Sequence, residues 1–313
     1  DDIESRGSEM CIRERCKADL ITSAVVEFTS LQGIMGGHYA RFSGETPEVA
    51  LGITDHYRPR FADDDLPRNF AGTVTAFSDK LDTICGIFAI GAGPTGSSDP
   101  FALRRAAIGI VNILLSGLDV SLSELIDVAL GNYRDVVDFD FDAVRDQVRA
   151  FFATRLEVIA RDRGYAPDCI AAVMATGMFE PAETIARIDA LQTARDEQPD
   201  TFENLATAYT RAANLADVAL GCEADEALMG TQERALADAI AVAQESVGQA
   251  LAAGAHADAI EALAGLRAPI DSFFDGVLIM DDDLALREMR LRLLNSFVDV
   301  FANVADIGKM AKK

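Results

Sequence analysis

The sequence predicts an all-α protein, and three observations carry that reading. Apolar residues recur at three- and four-residue steps, as in Val74, Phe77, Leu81, Ile84 and Phe88, which places them on one helix face. Alanine is abundant and β-branched runs are scarce, which favours packed helices over sheets. Glycine and proline punctuate the periodic stretches: Gly91 and Gly93 stop one helix, Pro94 prevents a restart, and Gly164 ends another.

Taken in order, Asp1 to Cys16 is highly charged and has no clear period. Ala18, Ile21, Val25 and Phe28 make a stripe, so a helix is expected over 18–28. A second, short helix over 31–40 contains Gly33, Gly36 and Gly37, which permit close approach of a neighbour. Pro47 suits the first position of a helix that closes at Arg58-Pro59, and 63–67 is an acidic, solvated loop. The stretch 72–105 organises the first half as helix, glycine-rich turn and helix. There Asp99 is expected to cap the second helix, with Pro100 at its first position, and residues 106–115 extend it. Ser121 caps a further helix, with Glu124 as its box partner. The acidic stretch 131–142 lacks a stripe and reads as a boundary, giving a segment without clear period over 1–16, one domain over 17–135 and another over 136–313.

The second half opens with a long helix over 142–163. Val144, Val148, Phe151, Phe152, Leu156 and Ile159 share one arc, and Arg155 lies inside it. A charge on an apolar face must be paired or must reach a ligand. Helices follow over 168–175, 180–195, 202–220, 231–251 and 257–266. In the third of these, Phe202, Leu205 and Tyr209 face inward, and Asn204, Thr207, Arg211 and Asn214 face the other way. Asp283 caps the last helix, whose expected stripe is Leu284, Leu291, Leu294, Val298, Phe301 and Ala305. Arg287 and Arg290 project toward that stripe with Asp271, Asp275 and Asp281 just upstream. Arg287, Arg290 and Asp275 are therefore read as structural ion-pairing groups.

Composition limits the function. The chain carries 51 Asp and Glu against 28 Lys and Arg, a net charge of −23, and such a surface repels free polyanions. RNA binding then needs local cationic clusters, and the candidates are Arg58 and Arg60, Lys80, Arg104 and Arg105, and Arg145 and Arg149. The five cysteines, Cys11, Cys16, Cys85, Cys169 and Cys222, have no metal-ligand spacing and read as reduced cytoplasmic thiols. No apolar run approaches the ~20 residues of a membrane span. The run Pro94-Thr95-Gly96-Ser97-Ser98 lacks the lysine and spacing of a P-loop, and no nucleophilic triad or dyad is visible, so no catalytic residue is assigned.

The run SDKLDTICGIFAIGAGPTGSSDPFALRRAAIGI, with KADLITSAVVEFTSLQGIMGGHYA and DHYRPRFADDDLP upstream, resembles the beta subunit of bacterial glycyl-tRNA synthetase. The first half also resembles an HD-type helical domain. Its metal-binding His-Asp pair would fall at Thr22-Ser23, and its later aspartate at Asp79, so the resemblance implies a degenerate, metal-free domain. The runs VRAFFATRLEVIARDRG, FENLATAYTRAANL and APIDSFFDGVLIMDDDLALREMRLRLL resemble a DALR-type anticodon-binding helical bundle, in which Thr210 stands where a lysine is common. What the resemblance implies is an HD-like domain followed by an anticodon-binding bundle. It also implies tRNA-Gly and the synthetase alpha subunit as partners in a cytoplasmic hetero-oligomer. No cofactor is expected in this chain, and ATP and Mg are used through the alpha subunit. RNA contacts are expected from Arg104, Arg105, Arg155, Arg211 and Asn214 together with Arg58, Arg60, Lys80, Arg145 and Arg149. The alternatives are an HD-type metal-dependent phosphohydrolase with an appended bundle, separable by metal content, and a helical interaction scaffold without an RNA role.

Overall fold

A glycine at position 37 lets two helices touch near the start of the fold. A Cβ there would lie 2.1 Å from the Thr54 hydroxyl and 2.8 Å from the Ala50 carbonyl, so any larger residue would force apart α2 (Ile34–Phe42) and α3 (Pro47–Asp55). The computed structural model describes Ile12 and residues 14–310; the reading of 1–16 lies largely outside the described residues. Two compact units divide the chain, unit 1 ending at Leu156 and unit 2 beginning at Glu157. This division falls later in the chain than the acidic stretch 131–142. Among the described residues there is no strand, only an isolated bridge between Thr95 and Ser98. No helix among them is long and apolar enough to cross a membrane.

In unit 1 the helix expected over 18–28 is broken into a 3-10 turn (Ala18–Ile21), α1 (Ser23–Glu27) and a second 3-10 turn (Thr29–Leu31). Of the predicted stripe only Val25 is buried, and Ile21 is 89% exposed. The cause is Asp19. Its buried carboxylate accepts the backbone N–H of Gly33 at 2.7 Å and of Gly36 at 2.9 Å, which ties this segment to the start of α2 and takes precedence over apolar periodicity. The central helix α4 (Phe70–Ala89) starts at Asn69, whose side chain accepts from Gly72 N–H, and buries Phe77, Leu81, Ile84 and Phe88 as expected. It packs on α3, α5 (Leu103–Leu115) and α6 (Leu122–Gly131). Asp99 does cap α5, accepting from Leu103 and Arg104 N–H. Pro100 is not its first residue, because the chain makes a further turn through Ala102 at φ 56° before the helix begins. Ser121 accepts from Glu124 N–H and caps α6 as the sequence indicates.

Helix α7 (Phe141–Asp162) contains the divide between the units, and Gly164, at φ +89°, follows it. Unit 2 continues with α8 (Pro167–Met174), α9 (Pro181–Glu197), α10 (Pro199–Leu215), α11 (Thr231–Ala252), α12 (His256–Ala264), α13 (Arg267–Gly276) and α14 (Leu284–Phe301). Helix α11 packs on α12, α13 and α14, and α10 packs on α13 and α14. Phe202, Phe273, Phe297 and Phe301 are buried, and Tyr209 meets Phe301 edge-on at 5.1 Å. Asp283 caps α14 through Ala285 N–H. The stripe of α14 is wider than predicted. Leu284 is exposed and Val298 half-buried, whereas Met289, Leu293, Phe297, Val300 and Val304 are buried, because two helices cover this element.

Buried Asp55 fastens the loop between α3 and α4. Its carboxylate accepts from the Arg68 backbone N–H, Nε and Nη2 at 2.7–2.9 Å and lies 3.5 Å from Arg58 Nε. Burial pushes its pKa up, but the Arg68 hydrogen bonds and the two nearby guanidinium charges outweigh that and hold it below the ordinary carboxylate value. Its contribution is therefore present above pH ~4 and is lost as pH falls through the depressed folded value. We expect Asp55→Asn to cost about 2 kcal/mol near neutrality, tempered because Arg68 is half-exposed, and to flatten the acid limb of stability. Urea unfolding of both proteins between pH 3 and 7 checks this, and parallel curves would rule it out.

Candidate nucleic-acid interface

Three of the nine predicted RNA-contacting cations lie at ion-pair distance from carboxylates, and the five arginines without such a partner among the described residues define the candidate surfaces. Arg58 faces Asp55 and Asp65, Arg145 faces Asp142 and Asp146, and Arg149 donates to the Ser123 hydroxyl and lies 3.9 Å from Asp127. Arg58 and Arg145 are anchored within their own loop and helix and Arg149 is tied to α6, so none of the three is free to serve as a track. Arg60, Arg104, Arg105, Arg155 and Arg211 have no carboxylate within ion-pair distance among the described residues.

In unit 2, α10 brings Thr207, Thr210, Arg211 and Asn214 onto one face, at spacings of three and four residues. With Leu215 and the segment Val277, Leu278, Ile279 and Met280, they line an open cavity of about 670 Å³. The Arg211 guanidinium lies 4.1 Å from the centroid of the Phe274 ring, the stacked arrangement of a cation on an aromatic face. This holds the plane of the guanidinium still without consuming its N–H donors. Asn214 adds a donor and an acceptor, and the threonines add hydroxyls. One floor of the cavity is cationic and polar and the other is apolar, which suits a planar, uncharged, hydrogen-bonding group such as an unstacked base. A second cavity of about 510 Å³, lined in part by Asp168, Arg195 and Asp196, has its arginine bound to both aspartates at 2.8 Å.

In unit 1, Arg155 lies over the Phe151 ring at 4.6 Å. Its pKa is lowered, first by burial and then by the neighbouring charge of Arg104, with Asp99 opposing. Arg104 donates to the Gly96 carbonyl and Arg105 is exposed. Arg104 and Arg155 therefore sit near one another beside the glycine-rich turn, and the four-residue spacing of Phe151 and Arg155, which the helical period puts on one arc, brings the guanidinium over the ring.

Three further site readings change, those of Lys80, Arg287 and Asp275. Lys80 is buried; its ammonium donates to the carbonyls of Arg58 at 2.9 Å and His56 at 3.3 Å, so it presents no cation at the surface. Arg290 is an ion-pairing residue, but Arg287 donates to the Asp281 carbonyl instead of a carboxylate. Asp275 is exposed, with no Lys or Arg at ion-pair distance among the described residues; the carboxylate that pairs nearby is Asp271, with Arg267. Asp79 is bound to the ammonium of Lys17, and Thr22 donates its hydroxyl to the Asp19 carbonyl. Among the described residues, no three His, Cys, Asp or Glu are placed to hold a metal. Sequence reasoning missed Phe274 and the wall 277–280, because a stack and a cavity between distant segments leave no local spacing to read.

Comparison with known proteins agrees with this geometry. The chain matches the family described as glycyl-tRNA synthetase beta subunit over residues 12–175, and the DALR anticodon binding domain over residues 205–308. It is 42% identical over 301 residues to a protein of Vibrio campbellii named "Glycine--tRNA ligase beta subunit", covering 95% of this chain and 43% of that one. Proteins of the same name from Ralstonia nicotianae and Haemophilus influenzae are 40% and 41% identical, over 98% and 93% of this chain and 45% and 42% of theirs. The chain thus spans less than half the length of these relatives. These likenesses do not favour a phosphohydrolase.

Burial pushes Lys80 down to about 8 from an ordinary 10.5, with Asp79 opposing. Between those two values the unfolded chain holds more protons at this site than the folded chain, so stability from this group grows as pH rises through that window. We expect the parent to gain stability relative to Lys80→Met between pH 8 and 10.5, measured by urea unfolding, with RNA affinity equal in the two proteins at pH 7.5. A loss of affinity without loss of fold would return Lys80 to the surface.

Proposed function

The chain belongs to the glycyl-tRNA synthetase beta subunit family, and from that premise we propose that it is the tRNA-gripping part of such a subunit, supporting the attachment of glycine to tRNA-Gly. The observation that carries this is Arg211, which meets no carboxylate among the described residues, stacks on Phe274 and lines an open cavity within the stretch matched to an anticodon-binding domain. Anticodon bases are single-stranded and can be splayed out, stacked on a guanidinium plane and read along their edges. Arg211 supplies the stacking plane and Asn214 and Thr207 the edge contacts, while Leu278 and Met280 shield the base from water.

In this reading the acidic exterior serves selectivity. Non-specific RNA is repelled, and only a molecule that meets the unpaired arginines together is held. Arg104, Arg105 and Arg155 in unit 1 are proposed to bind phosphates of the same tRNA, with Arg60 as a further contact. The chain contributes placement, since fixing the tRNA brings its acceptor end to an active site elsewhere. Glycine activation, with ATP and Mg, is assigned to the alpha subunit, and the working form is a cytoplasmic alpha–beta assembly. That these relatives are each named a beta subunit supports a second subunit as partner.

We expect Arg211→Ala to weaken tRNA-Gly binding about tenfold at low salt, the scale of one stacked base, and to leave the melting temperature unchanged. The dependence of log affinity on log salt should flatten by about one phosphate contact or less. A tRNA-Gly with an altered anticodon should bind the parent as weakly as tRNA-Gly binds Arg211→Ala. Equal binding of both tRNAs by the parent would remove the anticodon assignment, and unchanged affinity in Arg211→Ala would remove the residue.

A further inference from the structure

The apolar wall of the unit 2 cavity has little backbone support of its own. Val277 N–H closes the preceding helix on Phe273 at 3.0 Å, and the chain then extends at φ −124° and ψ 127°. Among the described residues, no backbone amide from 278 to 282 donates to another backbone carbonyl. Leu278 and Met280 are 71% and 54% exposed while Ile279 is buried, the alternation expected of extended chain.

What holds this segment is the polar face of α14. Arg290 Nη1 donates to the Leu278 carbonyl and to Asp281 Oδ2, both at 2.8 Å, and its Nε donates to Glu233 Oε1 on α11 at 3.0 Å. Arg287 adds Nε and Nη2 to the Asp281 carbonyl at 2.9 and 2.5 Å. The Arg290 and Glu233 side chains are 11% and 5% exposed. A buried ion pair is weak evidence for stability, since desolvation offsets much of its attraction. Its geometry is more telling. One rigid fork reaches a neighbouring helix, a carbonyl of the wall and the carboxylate at the end of the wall, which a flexible ammonium cannot do at once.

We propose that Arg290 is the positioning residue of the cavity: anchored by Glu233, it fixes the wall 277–281 opposite the Arg211 face and so sets the width of the slot that receives a nucleobase. This rests on the reading of that cavity as the RNA site. Arg290 touches no base; it acts through Leu278 and Met280.

The test uses the full chain, tRNA-Gly, and the methyl signal of Met280 observed by NMR. Arg290→Lys keeps a cation opposite Glu233 but loses the fork. We expect the Met280 signal of the free protein to shift, the melting temperature to stay near the parent's, and affinity to fall roughly fivefold, the scale of a hydrogen-bonded group. Combined with Arg211→Ala it should add little further loss, because both act on one slot. An unmoved Met280 signal, or a loss that adds fully to that of Arg211→Ala, overturns the proposal. Should Arg290→Lys fold poorly, Asp281→Asn loosens the wall and leaves the Arg290–Glu233 pair in place; the same shift and weaker binding are expected, and their absence overturns it equally. If Arg211→Ala alone leaves affinity unchanged, the RNA reading fails on its own, and the Met280 shift still decides whether Arg290 sets the wall.

Discussion

Carboxylates outnumber cationic side chains in this protein by 51 to 28, so an arginine that meets none of them is kept apart by geometry. Among the described residues twelve cations follow the expected course: from Arg15 with Glu45 to Lys309 with Asp306, each lies at ion-pair distance from an acid. Arg211 departs from it because Phe274 offers its ring instead, and Arg155 because Phe151 does. An aromatic face attracts a guanidinium without neutralising it, so the charge remains available to a ligand. In an anionic protein this is a physical route to attraction at chosen points and repulsion elsewhere.

The two kinds of arginine have separate tasks. Where a carboxylate holds the guanidinium, the residue is scaffold. Arg68 and Arg58 tie a loop to α3 through Asp55, and Arg290 ties a wall to α11 through Glu233. Where a ring alone holds it, as at Arg211 and Arg155, no carboxylate among the described residues neutralises it. The cavity in unit 2 joins both kinds, since its open cation is Arg211 and its wall depends on Arg290. Backbone whose amides lack backbone partners, as at 278–282, takes its hydrogen bonds from side chains, here Arg290 on the Leu278 carbonyl and Arg287 on the Asp281 carbonyl.

Much of the fold could be read in the chain. The all-α class, the buried face of α4, the caps at Ser121 and Asp283, and the close approach at Gly37 all follow from residues near one another in sequence. Two of the errors share a cause. The stripe at 18–28 failed because Asp19 spends its carboxylate on amides of Gly33 and Gly36, and Lys80 left the surface because carbonyls of Arg58 and His56 claimed it. In both cases a buried polar group found its partners at a distance, and burial of a polar group is costly enough to override periodicity.

By itself the sequence determined the helices, their caps, the net charge and the candidacy of Arg211 and Asn214, because each depends on spacing of a few residues or on composition. Only the tertiary structure decided which arginines are spent and which remain. That choice depends on what lies within about 4 Å in space, such as Phe274 beside Arg211 or Glu233 beside Arg290, and separations that short between distant segments leave no mark on local pattern.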